Sequence, residues 1–192
     1  MLPSARQFPF SHPDWIFEPK WDGYRALCLI EHKSVRFMSR NKKELTKRFP
    51  ELSTIHHAIK GRSAILDGEI VGLDKKNVPC FEKLQNRKKC LVVYFVFDCL
   101  MLNGNDLRND PLKFRKATLK RILMESPLIR HTDYIVGEGK QLFSTVANMG
   151  LEGIVGKKAD SLYIGGRTKE WLKIKTNAGK EVMKNRVETW GR

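Results

Sequence analysis

Long apolar runs are missing from this 192-residue chain. The longest, Leu91 to Phe97, stops at Asp98, far short of the roughly 20 residues that cross a bilayer, so no membrane span is expected. Cysteine is scarce: Cys28, Cys80, Cys90 and Cys99 form no C-x-x-C pair and have no histidines at zinc spacing, which argues against a disulfide scaffold or zinc site and leaves reduced, buried thiols. The five histidines make no H-x-x-x-H or triad-like pattern, so no role follows from them. With 14 Gly and 8 Pro, 41% hydrophobic and 30% charged residues, the chain is neither low-complexity nor disordered. The N-terminal MLPSARQFPF has no charged start followed by an apolar stretch and a cleavage site, so a cytoplasmic protein is expected, nucleoid-associated if bacterial. Acidic residues are in deficit. Lys plus Arg number 36 against 21 Asp plus Glu, a net charge of +15, which favours a polyanionic partner such as nucleic acid.

The pattern of the chain is mixed. Trp15–Glu18, Tyr24–Ile30 and Val35–Ser39 read as short strands and antiparallel neighbours, divided by Trp21-Asp22-Gly23 and Glu31-His32-Lys33. Leu52, Ile55 and Ile59 predict a short helix after Pro50, with Gly61 as its stop. Ala64–Leu73 and Leu91–Met101 read as strands, the second apolar enough to be central. A helix follows Pro111, carried by Leu112, Arg115, Leu119, Ile122 and Leu123 until Pro127, and another carries Leu142, Phe143, Val146 and Met149 up to Gly150. Strands around Gly153–Lys157 and Trp171–Lys175 are joined by the Gly165-Gly166-Arg167 turn. No repeat or long linker divides the chain. The expected class is α+β with antiparallel sheets, one domain over 1–176 and a basic amphipathic helix over 177–192 in which Val182, Met183, Val187 and Trp190 share a face.

Chemistry concentrates in three places. Glu18-Pro19-Lys20-Trp21-Asp22-Gly23-Tyr24-Arg25 holds a lysine between two strands beside an Asp-Gly turn. K-x-D-G alone arises by chance in roughly one chain in 25 of this length, and a solvated hairpin lysine would account for it. Asp67, Glu69 and Val71 alternate on one face of a strand, where burial of the carboxylates demands cations. Glu152-Gly153-Ile154-Val155-Gly156-Lys157 sets a carboxylate before an apolar strand and a lysine at its exit, and Trp171-Leu172-Lys173-Ile174-Lys175 puts two lysines on one face. Each segment alone is an ordinary sheet-face ion pair; the three in this order are not.

EPKWDGYRAL, FMSRNKKELTKRFPEL, AILDGEIVGLD, YFVFDCLMLNGNDLRNDPLKFR, LEGIVGKK and WLKIK together resemble the nucleotidyltransferase (adenylation) domain of ATP-dependent DNA ligases, most of all the ligase module of bacterial DNA ligase D. The resemblance covers most of residues 15 to 175. It implies a covalent nucleotidyltransferase core, an ATP-grasp-like arrangement of two antiparallel β-sheets flanked by helices with ATP between them. It also implies sealing of nicked double-stranded DNA in repair, recombination or non-homologous end joining. Lys20 is then the nucleophile that becomes covalently joined to AMP, for which its amine must be neutral. Glu18 lies against the adenine edge, Phe97 stacks on the ring in preference to Phe95, and Val155 packs on the ring's other face. Glu69 reaches the ribose or a metal, and Glu152 helps hold Mg2+ or Mn2+. Lys157, Lys173 and Lys175, with Arg25, neutralise phosphates. Arg25 and Arg40 grip the ribose or the 5′-phosphate of a nick. Asp22 shapes the turn.

Family members continue past the WLKIK strand into an OB-fold, for which the 17 residues after Lys175 are too few. The OB-fold is therefore expected to be absent or on a separate chain, with end-joining proteins as further partners and the chain itself a monomer. Two other readings stay open: an RNA ligase or mRNA-capping-type nucleotidyltransferase, which shares the lysine and carboxylates, and a non-catalytic module that binds nicks or ends. The basic excess makes a direct expectation for any of the DNA-binding readings. Affinity for nicked duplex, measured by fluorescence anisotropy, falls as salt rises with a log–log slope of several units. A flat response contradicts the assignment of the positive charge to DNA.

Overall fold

The computed structural model describes residues 1–124 and 126–181. In chain order the elements are β1 (Leu2–Ala5), β2 (His12–Pro19), β3 (Tyr24–Glu31), β4 (Ser34–Ser39), β5 (Ser63–Leu73), α1 (Phe81–Gln85), β6 (Leu91–Leu102), β7 (Asn105–Asp106), α2 (Leu112–Ile122), β8 (Ile129–His131), β9 (Ile135–Gly137), α3 (Gly139–Asn148), β10 (Gly153–Lys158) and β11 (Arg167–Lys175). Two 3₁₀ segments, Thr46–Arg48 and Pro50–Ala58, lie between β4 and β5. The expected α+β class with two sheets and few helices is what the chain adopts. Within it the chain divides into two compact units, one made of Met1–Trp21 with the chain from Asp133 onward, the other of Asp22–Thr132.

The first unit is a five-stranded sheet in the order β1-β11-β10-β2-β9. Alternation along its strands separates two faces. Phe17, Ile154 and Ile174 are buried on one of them and pack with Val146, Leu142 and Phe143 of α3. The other carries the polar residues in register: Glu18 opposite Val155, Val155 opposite Lys173, and Lys157 opposite Trp171. β1 joins the edge of β11 in parallel.

The second unit is built on the sheet β4-β3-β5-β6-β7, with β8 parallel to β6. Its core gathers Ala26, Phe37, Leu66, Ile70, Tyr94 and Val96 with Leu119 and Ile122 of α2 and Leu52 and Ile55 of the 3₁₀ segment. β6 is buried on both faces over most of its length, as its apolar run predicts. Cys28 and Cys99 are buried in strands, and burial, helped at Cys99 by the neighbouring Asp98, pushes both thiols up, Cys99 to about 12. All four cysteines are free, Cys80 and Cys90 being half-buried.

Several expectations are corrected. β2 and β3 are not neighbours: β2 is flanked by β10 and β9, and β3 by β4 and β5, so Lys20 to Gly23 is a crossover between sheets and not a hairpin. The segment after Pro50 is 3₁₀, because its buried residues Leu52, Ile55 and Ala58 recur every three positions. Ala58 ends it, ahead of Gly61, since Ile59 turns extended and bridges Leu123, which also ends α2 short of Pro127. Met149 lies beyond α3 and is exposed, while Gly150 adopts a positive φ of 68° as the stop. The sheets are mainly antiparallel, but β1 and β8 add parallel pairs. Of the helix expected over 177–192, residues 177–181 are helical and the rest, with Val182, Met183, Val187 and Trp190, lies outside the described residues.

Gly68, in the middle of β5, is a tight point of the second core. A Cβ there would lie 2.5 Å from the Phe95 carbonyl oxygen and 2.6 Å from the Tyr94 ring. The Tyr94 hydroxyl is itself pinned, donating to the Ala26 carbonyl at 2.9 Å. Gly68→Ala is expected to cost about 2 kcal/mol or more, read as a lower urea midpoint at unchanged slope. An unchanged midpoint would show that β6 yields freely.

Candidate active site

The polar face of the first unit is organised around Glu152, which sits just before β10. Its side chain is 6% exposed, with Oε2 2.7 Å from Lys20 Nζ and Oε1 3.1 Å from Lys175 Nζ. One carboxylate thus holds two ammonium groups. The backbone on both sides is fixed. Lys20 N donates to the Gly153 carbonyl at 2.8 Å, and Thr176 N donates to the Glu152 carbonyl at 3.1 Å. The Thr176 hydroxyl donates to the Leu151 carbonyl at 2.7 Å. Gly153 makes this approach feasible: its φ is 152°, and a Cβ would lie 2.1 Å from the Ile174 carbonyl oxygen.

Lys173 shares this face through its register with Val155. Burial holds its ammonium below the usual lysine range, the positive charges of Lys20, Lys175 and Arg167 add to the effect, and Glu152 opposes it. Three lysines around one carboxylate leave a net positive surface, suited to anionic oxygens.

A second, deeper pair lies one step along the sheet. Glu18 Oε2 is 2.6 Å from Lys157 Nζ, and both side chains are 2% exposed. Lys157 Nζ also lies 4.2 Å from the centre of the Trp171 ring, a desolvated cation–π contact. Trp171 in turn donates from Nε1 to Ser161 Oγ at 3.2 Å. Lys157 was expected beside Lys173 and Lys175 as a phosphate ligand. The structure places its head group against Glu18 and Trp171.

The second unit brings together another set. The Arg25 guanidinium forms a fork on Asp67, Nε to Oδ1 at 3.1 Å and Nη2 to Oδ2 at 2.7 Å, and Asp67 is buried. Glu69 is the register partner of Arg25 and is half-buried. Arg25 also lies 5.4 Å from the centre of the Phe97 ring. Phe97 is half-exposed and Phe95 buried, so Phe97 is the more accessible ring of the two. Arg40, in the turn after β4, is exposed.

Sequence reasoning missed Asp67 as the carboxylate that answers Arg25, and Thr176 as the brace behind Glu152. The period-two pattern of β5 carried a signal for the first; nothing local pointed to the second. It also missed the fully buried pair between Asp98 and Arg115, with Nε to Oδ1 at 2.8 Å.

For a divalent metal, no group of three or more His, Cys, Asp or Glu side chains gathers among the described residues. A closed protein cage is therefore lacking there. Mg2+ commonly takes only one or two carboxylates and completes its octahedron with water and substrate phosphate oxygens. Glu152, a carboxylate within a cationic, phosphate-suited face, fits that more open mode.

The order of these segments along the chain is that of a known family of ATP-dependent enzymes. The sequence profile of the ATP dependent DNA ligase domain matches residues 6–175, and the chain belongs to that family. It is 35% identical over 163 residues to the multifunctional non-homologous end joining protein LigD of Mycobacterium bovis, covering 84% of this chain and 21% of that protein. It is 32% identical over 180 residues to the SPbeta prophage-derived DNA ligase-like protein LigB of Bacillus subtilis, covering 91% of this chain and 66% of that one. Among solved structures, mycobacterial DNA ligase D complexed with ATP and MES is similar with a TM-score of 0.80 at 32% identity, covering 91% of this chain and 58% of the other. The chain thus spans about a fifth of the length of the LigD relatives it matches. Among the described residues, no helix is long and apolar enough to cross a membrane.

The depressed Lys173 has a stability consequence with a definite sign. Its folded pKa lies below the unfolded value of 10.5, so across that window the unfolded chain binds more protons and stability rises with pH. Lys173→Met is expected to flatten this rise, measured as the change in urea midpoint from neutral pH to pH values approaching 10.5. An identical pH profile in the variant would contradict the placement of Lys173 in a desolvated cationic cluster.

Proposed function

We propose that this chain is the catalytic adenylation domain of an ATP-dependent DNA ligase that seals nicks in duplex DNA during repair or end joining. The observation that carries the reading is the Glu152 carboxylate shared by Lys20 and Lys175, on a face that also holds Lys173, in a chain of the ligase family. Lys20 Nζ, free of its extra proton, attacks the α-phosphorus of ATP; the N–P bond forms, the bond to the bridging oxygen breaks, and pyrophosphate leaves. The AMP then passes to the 5′-phosphate of a nick, releasing the lysine. Attack by the 3′-hydroxyl on that activated phosphate forms the phosphodiester and expels AMP.

Each residue has a part in this scheme. Lys173 and Lys175 offset phosphate charge, most of all the charge that grows as pyrophosphate departs. Glu152 orients the Lys20 amine and is the carboxylate that would hold Mg2+; when bound, the ion polarises the α-phosphate. Glu18 and Val155 contact the base, and Lys157, paired with Glu18, completes the phosphate cradle with Lys173 and Lys175. Phe97 stacks on the adenine, Glu69 takes the ribose or a metal, and Arg25 and Arg40 take the ribose or the nick 5′-phosphate. The chain works as a monomer in the cytoplasm, with end-joining proteins as partners.

The test uses α-labelled ATP with Mg2+ followed by denaturation. Wild type is expected to retain label, Lys20→Ala none, and Glu152→Gln to label about a hundredfold more slowly. A wild type that acquires no covalent AMP, even with pyrophosphatase present, overturns the proposal. Preference for nicked RNA over nicked DNA in a sealing assay would reassign it to RNA.

A further inference from the structure

The strand that carries Phe97 is irregular at that residue. In the ladder between β5 and β6, Asp67 is opposite Asp98 and Gly68 is opposite Val96, so the register shifts by one residue at Phe97. The pairing of β6 with β8 runs only as far as Val96. Phe97 is the extra residue of a β-bulge, a device that re-aims a side chain and interrupts the backbone ladder. A second register shift, between Ile65 and Leu66, follows immediately along β6. Between the two shifts the strand is held from the side, by helix α2. Lys116, 1% exposed, donates from Nζ to the Phe97 carbonyl at 3.2 Å. Arg115, 0% exposed, sets its fork on Asp98, with Nη2 to Oδ2 at 2.9 Å in addition to the Nε contact. Asp98 Oδ1 also accepts the Cys99 N–H at 2.9 Å.

A buried ammonium is costly unless polar partners answer it, and an apolar side chain of similar length would be the cheaper filling for a helix–sheet contact. Two adjacent cations on α2 instead meet two consecutive residues of the bulge, at its backbone carbonyl and its carboxylate. We propose that Lys116 is a positioning residue: with Arg115 as its anchor, it fixes the bulge that presents the Phe97 ring, and so sets how well that ring receives the nucleotide base. The inference rests on the proposed stacking role of Phe97. Lys116 itself touches the Phe97 backbone and acts through it.

Two variants and one reporter test this. Lys116→Met keeps the length and removes the donor, and Lys116→Arg keeps the charge. Half-saturating ATP for self-adenylation is expected to rise about tenfold in Lys116→Met with little change in the saturated rate, and to be largely restored by Lys116→Arg. In a Phe97→Ala background Lys116→Met is expected to add almost nothing, because the residue through which it acts is gone. Full additivity of the two substitutions would overturn the proposal, as would an equal loss of rate at every ATP concentration. The F97W reporter separates this inference from the stacking role. Its emission in nucleotide-free protein is expected to shift when Lys116 becomes Met, and an unmoved spectrum counts against positioning. Failure of ATP to alter that emission, together with an unchanged ATP requirement in Phe97→Ala, would refute stacking alone, since the nucleotide-free shift does not depend on it.

Discussion

The lysine-bearing face depends on one buried negative charge. Lys20, Lys173 and Lys175 repel one another, and burial first, with that repulsion added, lowers the pKa of Lys173. Glu152 makes the crowding tolerable by accepting a hydrogen bond from Lys20 on one oxygen and lying within ion-pair distance of Lys175 on the other. A desolvated carboxylate in turn needs those cations, since an unanswered buried charge costs several kcal/mol. The groups are therefore mutually required. The surrounding backbone serves this: Gly153 lets β10 and β11 approach, and Thr176 ties down the residue that carries the charge. Removing the carboxylate would take from Lys20 and Lys175 the counter-ion they share.

Much of the fold could be read from periodicity, and what could not has physical causes. β5 and β6 are long and apolar, and their run lengths alone identify them. β1, β8 and β9 have only three or four residues each, too few for alternation to rise above chance, and they exist because a neighbouring edge offers unpaired backbone groups. The crossover after Lys20 was misread because an Asp-Gly step next to two strand-like runs is the usual mark of a hairpin. Partner choice there is decided by the other strands already flanking β2 and β3. The 3₁₀ segment differs from an α-helix by a spacing of three in place of three and four, a distinction that Ile59 blurred by adding a fourth apolar position.

The site was legible as a set of residue types and less so as a set of pairs. Lys20, Glu152 and Lys175 meet although Lys20 and Glu152 are far apart in sequence, as the convergence of motifs suggested. Lys157 was assigned by its motif's position after an apolar strand. Register places it opposite Ile16 and Trp171, deep enough that Glu18 takes its charge. Such a pairing depends on which strands are adjacent, and no local pattern encodes that. The same holds for Asp67 and Arg25, and for Asp98 and Arg115, where burial of one partner is visible in the sequence only as a charged residue within an apolar run.

The unit that holds Lys20 is discontinuous: its first strands precede Asp22–Thr132, and the strands that complete its sheet follow. During synthesis the intervening unit has all its own segments in one stretch and can condense on comparatively local contacts. β2, by contrast, emerges early and must wait for β10 and β11 before its neighbours exist. Closing so long a loop adds little to the equilibrium cost, because that cost grows only with the logarithm of length. It weighs on timing instead, since non-local pairing is slow. Lys20, directly after β2, is thus made well before Glu152 and Lys175, and it acquires its ionic surroundings only when the last strands of its sheet have followed.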